Sequence, residues 1–510
     1  MIESQTNIVA TNAMQLRPYQ EQCIGQVFSS WREHRKNLIV LPTGSGKTII
    51  FANIAHRASG RTLILAHREE LLQQAVDKIR QSTGLIAGLE RAESTARFDA
   101  KVVVGSIQTM IRRLDMFGTD QFQTVIVDEA HHVAADSYQK VLGHFSLSKV
   151  LGVTATPDRS DKKQLGSFFE NVAYEITLMN LIKQGYLAPI KVRVCDVSID
   201  LSRVKFSVGD FDSNDTSDAL EPYLERVAEQ IKEFGGKKTL IFLPLIATSQ
   251  MMTRICYAIG LNVKHVDGQS EDRADILKWF KEQDRAVLCN AMLLTEGYDE
   301  PSIDTIVCLR PTRSRALYTQ MVGRGTRIHP GKTHLTILDF LWMTGRHNLV
   351  RPTCLVTSDE IGEIADEMIE KQGEFDLEEV AGNAVAERER SLARELAKKK
   401  RNNGKTLDPL EFALAIHSSS IADFEPTMSW HSQPVSDKQS AMLIKSGFDV
   451  SLVTCKGHAS MIIDQLMTRS NLKLATPKQI YYLSKYGIKN AQTWKFDAAS
   501  KFLDNAFRAR

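Results

Sequence analysis

The sequence predicts an α/β protein: two tandem parallel-sheet domains, then a small all-α module at the C-terminus. Three observations predict it. Short β-branched apolar runs alternate with helix-length stretches through the first two thirds of the chain. One of those runs opens into a glycine-rich loop at 41–48. A unit of 40 residues occurs twice after position 430.

In the first block, strands are expected at 37–41, 62–66, 101–105, 124–127 and 150–155, with helical stretches such as 67–81 and 135–144 between them. In the second, strands are expected near 238–243, 263–266, 286–290, 305–309 and 335–339. The turn Lys183 to Pro189 reads as a hinge, and the polar, acidic stretch Asp210 to Asp218 as an exposed loop before a helix at 219–234. The expected domains are 1–185, 186–345, a charged helical connector at 346–429, and the repeats at 430–510. In parallel sheets of this kind, ligands bind beyond the carboxyl ends of the strands.

The chemistry sits at such ends. Asn37 to Val40 leads into Leu41-Pro42-Thr43-Gly44-Ser45-Gly46-Lys47-Thr48, and Ile49 to Ala52 continue as a helix. Glycines let backbone N–H groups close on a phosphate, and a helix N-terminus adds partial positive charge. Thr43, Gly44, Ser45 and Gly46 form that cradle, Lys47 reaches the β- and γ-phosphates, and the Thr48 hydroxyl ligates Mg²⁺. Leu41 stands where the strict G-x-x-x-x-G-K-[ST] pattern has its first glycine. A second run, Thr124 to Val127, ends in Asp128-Glu129-Ala130-His131. Asp128 can hold Mg²⁺ through its water shell, and Glu129 can orient or deprotonate the attacking water. ATP and Mg²⁺ are therefore the expected cofactors. Phosphoryl transfer also needs positive charge on the transferring group. Arg324 and Arg327 follow a helix read from Ala316 to Val322, three residues apart and on one face if that helix continues.

From about 14 to 345 the chain resembles the superfamily 2 helicases and translocases, DEAH-box type. The resemblance rests on Leu16-Arg17-Pro18-Tyr19-Gln20, Leu65-Ala66-His67-Arg68-Glu69-Glu70-Leu71, Gly105-Ser106-Ile107-Gln108-Thr109, Val153-Thr154-Ala155-Thr156-Pro157, Leu294-Thr295-Glu296-Gly297-Tyr298-Asp299 and Gln320-Met321-Val322-Gly323-Arg324-Gly325-Thr326-Arg327, in family order. It implies two RecA-like P-loop domains clamping ATP and nucleic acid between them. Arg17 and Gln20 would read the adenine. His67, Arg68, Gly105, Ser106, Gln108, Thr109 and Thr295 would touch the nucleic-acid backbone. Gly297 and Asp299 would border the nucleotide. Gln320, Arg324 and Arg327 would cross the cleft to the γ-phosphate. Gln320 and the Gly185-Tyr186-Leu187 turn resemble DNA-repair and restriction-type members, including RadD-like and phage recombination helicases, although the cysteine-rich tail of RadD-like proteins is absent. The implied partner is DNA, single-stranded, forked or branched. An RNA helicase and an ATP-driven translocating subunit of a restriction or defence complex are the alternatives.

Composition agrees with an enzyme of several domains. Hydrophobic residues make up 43% and charged residues 25%, ordinary globular values. Net charge is only +3, so nucleic-acid binding must come from local patches rather than an overall basic field. The 7 cysteines are scattered without a C-x-x-C pair, which argues against a zinc ribbon and suits reduced thiols. No basic–apolar leader and no 18-residue apolar window occur, so a cytoplasmic protein of a bacterial or phage-infected cell is expected, with no membrane partner.

Towards the C-terminus, residues 359–380 are acid-rich, and Glu387 to Lys400 reads as a helix ending in Lys398-Lys399-Lys400-Arg401. Cations are favoured at a helix C-terminus, so this run is either a solvated helix end or a nucleic-acid contact. The repeat then pairs Lys438-Gln439 with Lys478-Gln479, Leu443 with Leu483, Lys445 with Lys485, Gly447 with Gly487 and Ala459-Ser460 with Ala499-Ser500, all at the same offset. Ser436…Gln439 and Thr476…Gln479 read as capping boxes, Pro477 as a first helical residue, and each glycine as a helix stop. Each copy should be two short helices that bury a face against the other. Lys438, Lys445, Lys478 and Lys485 with Tyr481, Tyr482 and Tyr486 read either as a basic, aromatic face for DNA or as part of a module docking on the motor or on a protein partner.

Overall fold

The computed structural model describes residues 15–66, 69–90, 99–155, 159–197, 199–207, 209–295, 297–341, 349–357, 359–369, 373–399 and 407–508. The chain divides into two compact units, Met1–Gly382 and Asn383–Arg510.

The first unit holds two seven-stranded sheets. The first is built from β1 (Lys36–Val40), β2 (Thr62–Ala66), β3 (Gly88–Glu90), β4 (Val102–Ser106), β5 (Thr124–Asp128), β6 (Lys149–Thr154) and β7 (Asn171–Glu175), in the order β3-β4-β2-β5-β6-β1-β7. The second is built from β8 (Ile190–Val194), β11 (Lys238–Leu243), β12 (Val263–Val266), β13 (Ala286–Ala291), β14 (Thr305–Cys308), β15 (Leu335–Asp339) and β16 (Glu374–Asp376), in the order β12-β13-β11-β14-β15-β8-β16. A two-stranded ribbon, β9 (Phe206–Ser207) with β10 (Asp210–Phe211), stands apart. Position by position, the two large sheets have the same connectivity. All pairings in the first are parallel; in the second only the last, β16 on β8, is antiparallel. Covered on both faces, the central strands are continuous apolar runs, as parallel sheets require: Leu63, Val103, Val125 and Val127 sit in one core, Ile241, Cys289, Val307 and Leu338 in the other.

The expected strands are all present, and the sequence-based reading missed four in the large sheets. β8 alternates Ile190, Val192 and Val194 with Lys191 and Arg193, so it lacks the apolar run that marked its neighbours. β16 is only three residues long, and because it pairs with β8 the second sheet draws on chain beyond residue 345. The stretch from 346 is therefore not merely a connector. The acidic segment 210–218 is not a loop either. Asp212 caps a helix at Ser213–Leu220, its carboxylate accepting the N–H groups of Asn214 and Asp215 at 2.9 and 3.0 Å. Asp210 accepts the Thr312 hydroxyl at 2.7 Å and the Arg313 N–H at 2.9 Å. The expected helix at 219–234 is a turn followed by Leu224–Phe234. The helix expected at 67–81 is described as Glu69–Thr83, and the one expected from Glu387 starts at Leu377, where Asp376 accepts the N–H groups of Glu378 and Glu379. Lys400 and Arg401, like Thr156 and Pro157, lie outside the described residues.

In the second unit each repeat copy is a helix, a short connection containing one 3₁₀ turn, and a second helix: Asp437–Ser446 with Lys456–Asn471, and Pro477–Lys485 with Phe496–Arg508. Both capping boxes form. Each box glutamine also reaches the second helix of its own copy: Gln439 Nε2 donates to Ser460 Oγ and Gln479 Nε2 to Ser500 Oγ, both at 2.8 Å. Leu443 and Leu483, Ala459 and Ala499 meet in one core with Phe412 and Phe448. Among the described residues no helix is long and apolar enough to cross a membrane, and the seven cysteines carry free thiols, six of them buried.

Candidate nucleotide site between the two sheets

The glycine loop leaves β1 as the strand ends. Gly44 and Gly46 have φ of +87° and +79°, a region that side chains other than glycine rarely adopt. Gly46 precedes the helix Lys47–Arg57, so that helix aims its free N–H groups at the loop. β5, two strands away, delivers Asp128 at its last position and Glu129 next, held at φ +50°. Lys47 Nζ lies 3.2 Å from Glu129 Oε1, and His131 Nδ1 lies 3.5 Å from Glu129 Oε2. Burial alone would raise the Glu129 carboxyl, but Lys47, His131 and Arg324 outweigh it and hold its pKa below the ordinary glutamate value. The pairing favours the ionised form of the carboxylate.

The opposite wall comes from the second sheet. The helix Arg315–Val322 stops at Gly323, so Arg324 and Arg327 are presented by a turn rather than by a continuing helix. Both still line the same cavity. Arg324 donates to the carbonyls of Tyr298 (2.9 Å) and Gln320 (3.3 Å). Arg327 Nε pairs with Asp299 Oδ1 at 2.9 Å. Half-buried Lys332 ties the same turn down, donating to the carbonyls of Ile303, Gly325 and Arg327. The two walls touch: a Cβ on Gly323 would lie 2.4 Å from Thr43 Cβ, and one on Gly44 would lie 2.9 Å from Thr326 Oγ1.

Between the walls is a cavity of about 620 Å³. It is lined by Arg17, Gln20, Thr43, Gly44, Ser45, Gly46, Lys47 and Thr48, by Asp128 and Glu129, and by Gly297, Asp299, Arg324 and Arg327. A nucleoside triphosphate fits it on direct grounds. Among the described residues, Thr43 Oγ1, Ser45 Oγ and Glu129 Oε2 are buried and have no hydrogen-bond partner, and all three belong to this cradle. Buried polar atoms of this kind call for a ligand or water. Thr48 and Asp128 line the same cavity and offer oxygen donors of the kind a hard cation such as Mg²⁺ takes.

Other expected residues fall elsewhere. Gln320 is buried in its helix and does not line the cavity; its carbonyl accepts Arg324 Nε, so it positions the arginine. Gln20 lines the cavity, but its amide also accepts the Arg17 N–H at 2.9 Å and donates to the Ser45 carbonyl at 3.2 Å, so it braces the loop. Of the residues expected to touch nucleic acid, Ser106 caps the helix Ile107–Arg112 and bonds Thr109, and the Thr295 hydroxyl donates to the Met292 carbonyl. Gly105 is covered by Met110, a Cβ there falling 3.1 Å from its side chain. Among the described residues of this set, only Gln108 is exposed. Small polar residues at strand ends satisfied the local backbone first. His67, Arg68 and Glu296 lie outside the described residues.

The sequence reading missed two groups. Lys78, on the helix Glu69–Thr83, reaches across to Asp299 Oδ2 at 2.9 Å and joins the first sheet's domain to the second. Nothing in its amphipathic helix set it apart from a solvated lysine. Tyr186, in the hinge, lies 5.0 Å from the Tyr19 ring and 5.3 Å beneath the Arg17 guanidinium, tying the expected adenine segment to the linker. Its place in Gly185-Tyr186-Leu187 was the available signal.

Residues 13–159 match the family described as "Type III restriction enzyme, res subunit", and residues 222–329 match "Helicase conserved C-terminal domain". IRC3 of Saccharomyces cerevisiae, provisionally named an ATP-dependent helicase, is 32% identical over 403 residues, which cover 74% of this chain and 58% of that protein. The DNA 3'-5' translocase XPB2 of Sulfurisphaera tokodaii is 23% identical, over 61% of this chain and 78% of its own. Among solved structures, the ATP-dependent Type ISP restriction-modification enzyme LlaBIII bound to DNA superposes with a TM-score of 0.54 at 16% identity, covering 94% of this chain and 40% of that one, a likeness of fold. The chain spans 58% and 61% of the lengths of the two IRC3-type relatives from budding and fission yeast.

Proposed function

We propose that this chain, which carries the two domains of a superfamily 2, ATP-hydrolysing helicase, couples ATP hydrolysis to translocation on or unwinding of DNA. The observation that carries the reading is the divided cavity. The phosphate loop, Lys47 and Glu129 belong to one sheet, Arg324 and Arg327 to the other. Hydrolysis then requires the sheets to be closed, and each turnover can reopen them on a strand. Lys47, now on Glu129, would transfer to the incoming phosphates. That move frees the carboxylate to take the proton of the attacking water, while an arginine neutralises charge on the transferring group. Thr48 and Asp128 would hold Mg²⁺, which when bound would neutralise phosphate charge.

DNA is preferred over RNA because XPB2 is a translocase named for DNA and the first domain matches a restriction-type family, while L396 of Acanthamoeba polyphaga mimivirus, provisionally named an ATP-dependent RNA helicase and 29% identical, keeps RNA as the alternative. A repair, recombination or replication motor of DEAH type in the cytoplasm accords with this. The restriction-type match of the first domain favours, as a second reading, a translocating subunit of a defence complex. The test is the ATPase rate without nucleic acid and with single-stranded, duplex and branched DNA and RNA in parallel. Stimulation by DNA, highest on branched forms, is expected. Stimulation by RNA alone would replace DNA with RNA as substrate, and no stimulation by any would point to the defence-subunit reading.

A further inference from the structure

The first helices of the two repeat copies carry the same surface pattern. In Pro477–Lys485, the residues Lys478, Tyr482 and Lys485 stand at i, i+4 and i+7 and share one face. Forty residues earlier, Lys438, Met442 and Lys445 stand at the same positions of Asp437–Ser446. All six are exposed, on the side opposite the buried Leu443 and Leu483. Packing explains why both copies keep those leucines, the box glutamines and the alanines. It does not explain four exposed lysines at matched places.

The two faces adjoin. Gly447 has φ +94°, and a Cβ there would fall 2.3 Å from Lys478 Cε. The stem of Lys478 therefore crosses the turn that ends the first copy's helix, two residues from Lys445. Aromatic rings interleave with the charge. Lys485 Nζ sits 4.2 Å over the Tyr481 ring, and Tyr482, 41% exposed, meets Phe507, 49% exposed, edge-on at 5.5 Å. The chain from 473 to 508 holds seven lysines and arginines against two aspartates, although the chain as a whole is nearly neutral; Glu411 lies within electrostatic reach of Lys485.

We infer that this face is a second nucleic-acid site, separate from the motor cleft, which tracks a single-stranded DNA backbone with Lys438, Lys445, Lys478 and Lys485 and stacks a base on Tyr482. Lysines spaced along a surface meet successive phosphates, and exposed rings accept any base, so binding is tolerant of sequence and sensitive to salt. The choice of DNA over RNA rests on the function proposed above; the site itself does not.

The test uses the full chain without nucleotide and a fluorescent oligothymidine of about 20 residues. A Lys438→Gln/Lys445→Gln/Lys478→Gln/Lys485→Gln variant, which keeps most of each stem, should bind at least tenfold more weakly with a flatter dependence on salt. Its ATPase rate without DNA should be unchanged. Tyr482→Ala, exposed and outside the core, should weaken binding about tenfold. Full-strength oligonucleotide binding by both variants overturns the inference; if the lysine variant instead loses an acidic peptide such as polyglutamate, the face is a protein dock. Failure of the motor reading looks different. There the wild-type ATPase ignores DNA, while the lysine variant still loses the oligonucleotide.

Discussion

The two large sheets share one strand order and line one cavity. In the first, the strand beside the outermost position, β1, opens into the glycine loop. In the second, the strand at the same position, β8, runs into Cys195, Val197, Ile199 and Leu201, which are buried in the core. The second sheet places its chemistry instead on the turn between its helix Arg315–Val322 and β15. Apart from the outermost pairing, parallel in the first sheet and antiparallel in the second, what differs is which loop carries glycine or arginine and which is buried in the core. Because each sheet supplies one wall, neither completes the cavity alone.

The comparison can be broken at measurable points. Lys47→Ala should lower ATP turnover at least a thousandfold, whereas Asp196→Ala, at an exposed position just after the corresponding strand of the other sheet, should change it less than about twofold; steady-state ATPase assays decide. Arg324→Ala and Arg327→Ala should each lower kcat at least a hundredfold while ATP affinity, read by a fluorescent analogue, shifts less than about tenfold. An equal loss of affinity would make these arginines binders rather than fingers. Gly323→Ala inserts a methyl where the walls touch, and an expected loss of about tenfold or more in turnover, with thermal stability preserved, would show that closure is tight there. Lys78→Met removes a part-exposed bridge between the walls, so the Michaelis constant for ATP should rise only about two- to fivefold, and less at high salt.

Much of this was legible in the sequence because the signals are local. Gly44 and Gly46 are where φ must be positive, and Asp128 and Glu129 end a strand too apolar to be anything else. The sequence was silent where a residue's meaning depends on what approaches it from elsewhere. β8 alternates charge because its flank is only half covered, and it is completed by three residues nearly two hundred positions later. Lys78 matters because Asp299 faces it. Ser106 and Thr295 matched a nucleic-acid pattern, yet their hydroxyls close turns in their own chain. The acid-rich 210–218 read as solvent-seeking when two of its carboxylates, Asp210 and Asp212, were capping and anchoring backbone.

The double use of Gln439 and Gln479 has an evolutionary consequence. Each glutamine closes the start of its copy's first helix and clasps the second helix of the same copy, so every copy brings its own fastening. The copies share one core, and they are also joined by Arg469 of the first copy, which donates to the carbonyls of Ala475 and Gln492 in the second, and by the turn at Gly447, crossed by Lys478. Such a segment can grow or shrink by whole 40-residue steps without leaving a frayed helix behind, and homologues should differ here in copy number more readily than in the spacing within a copy.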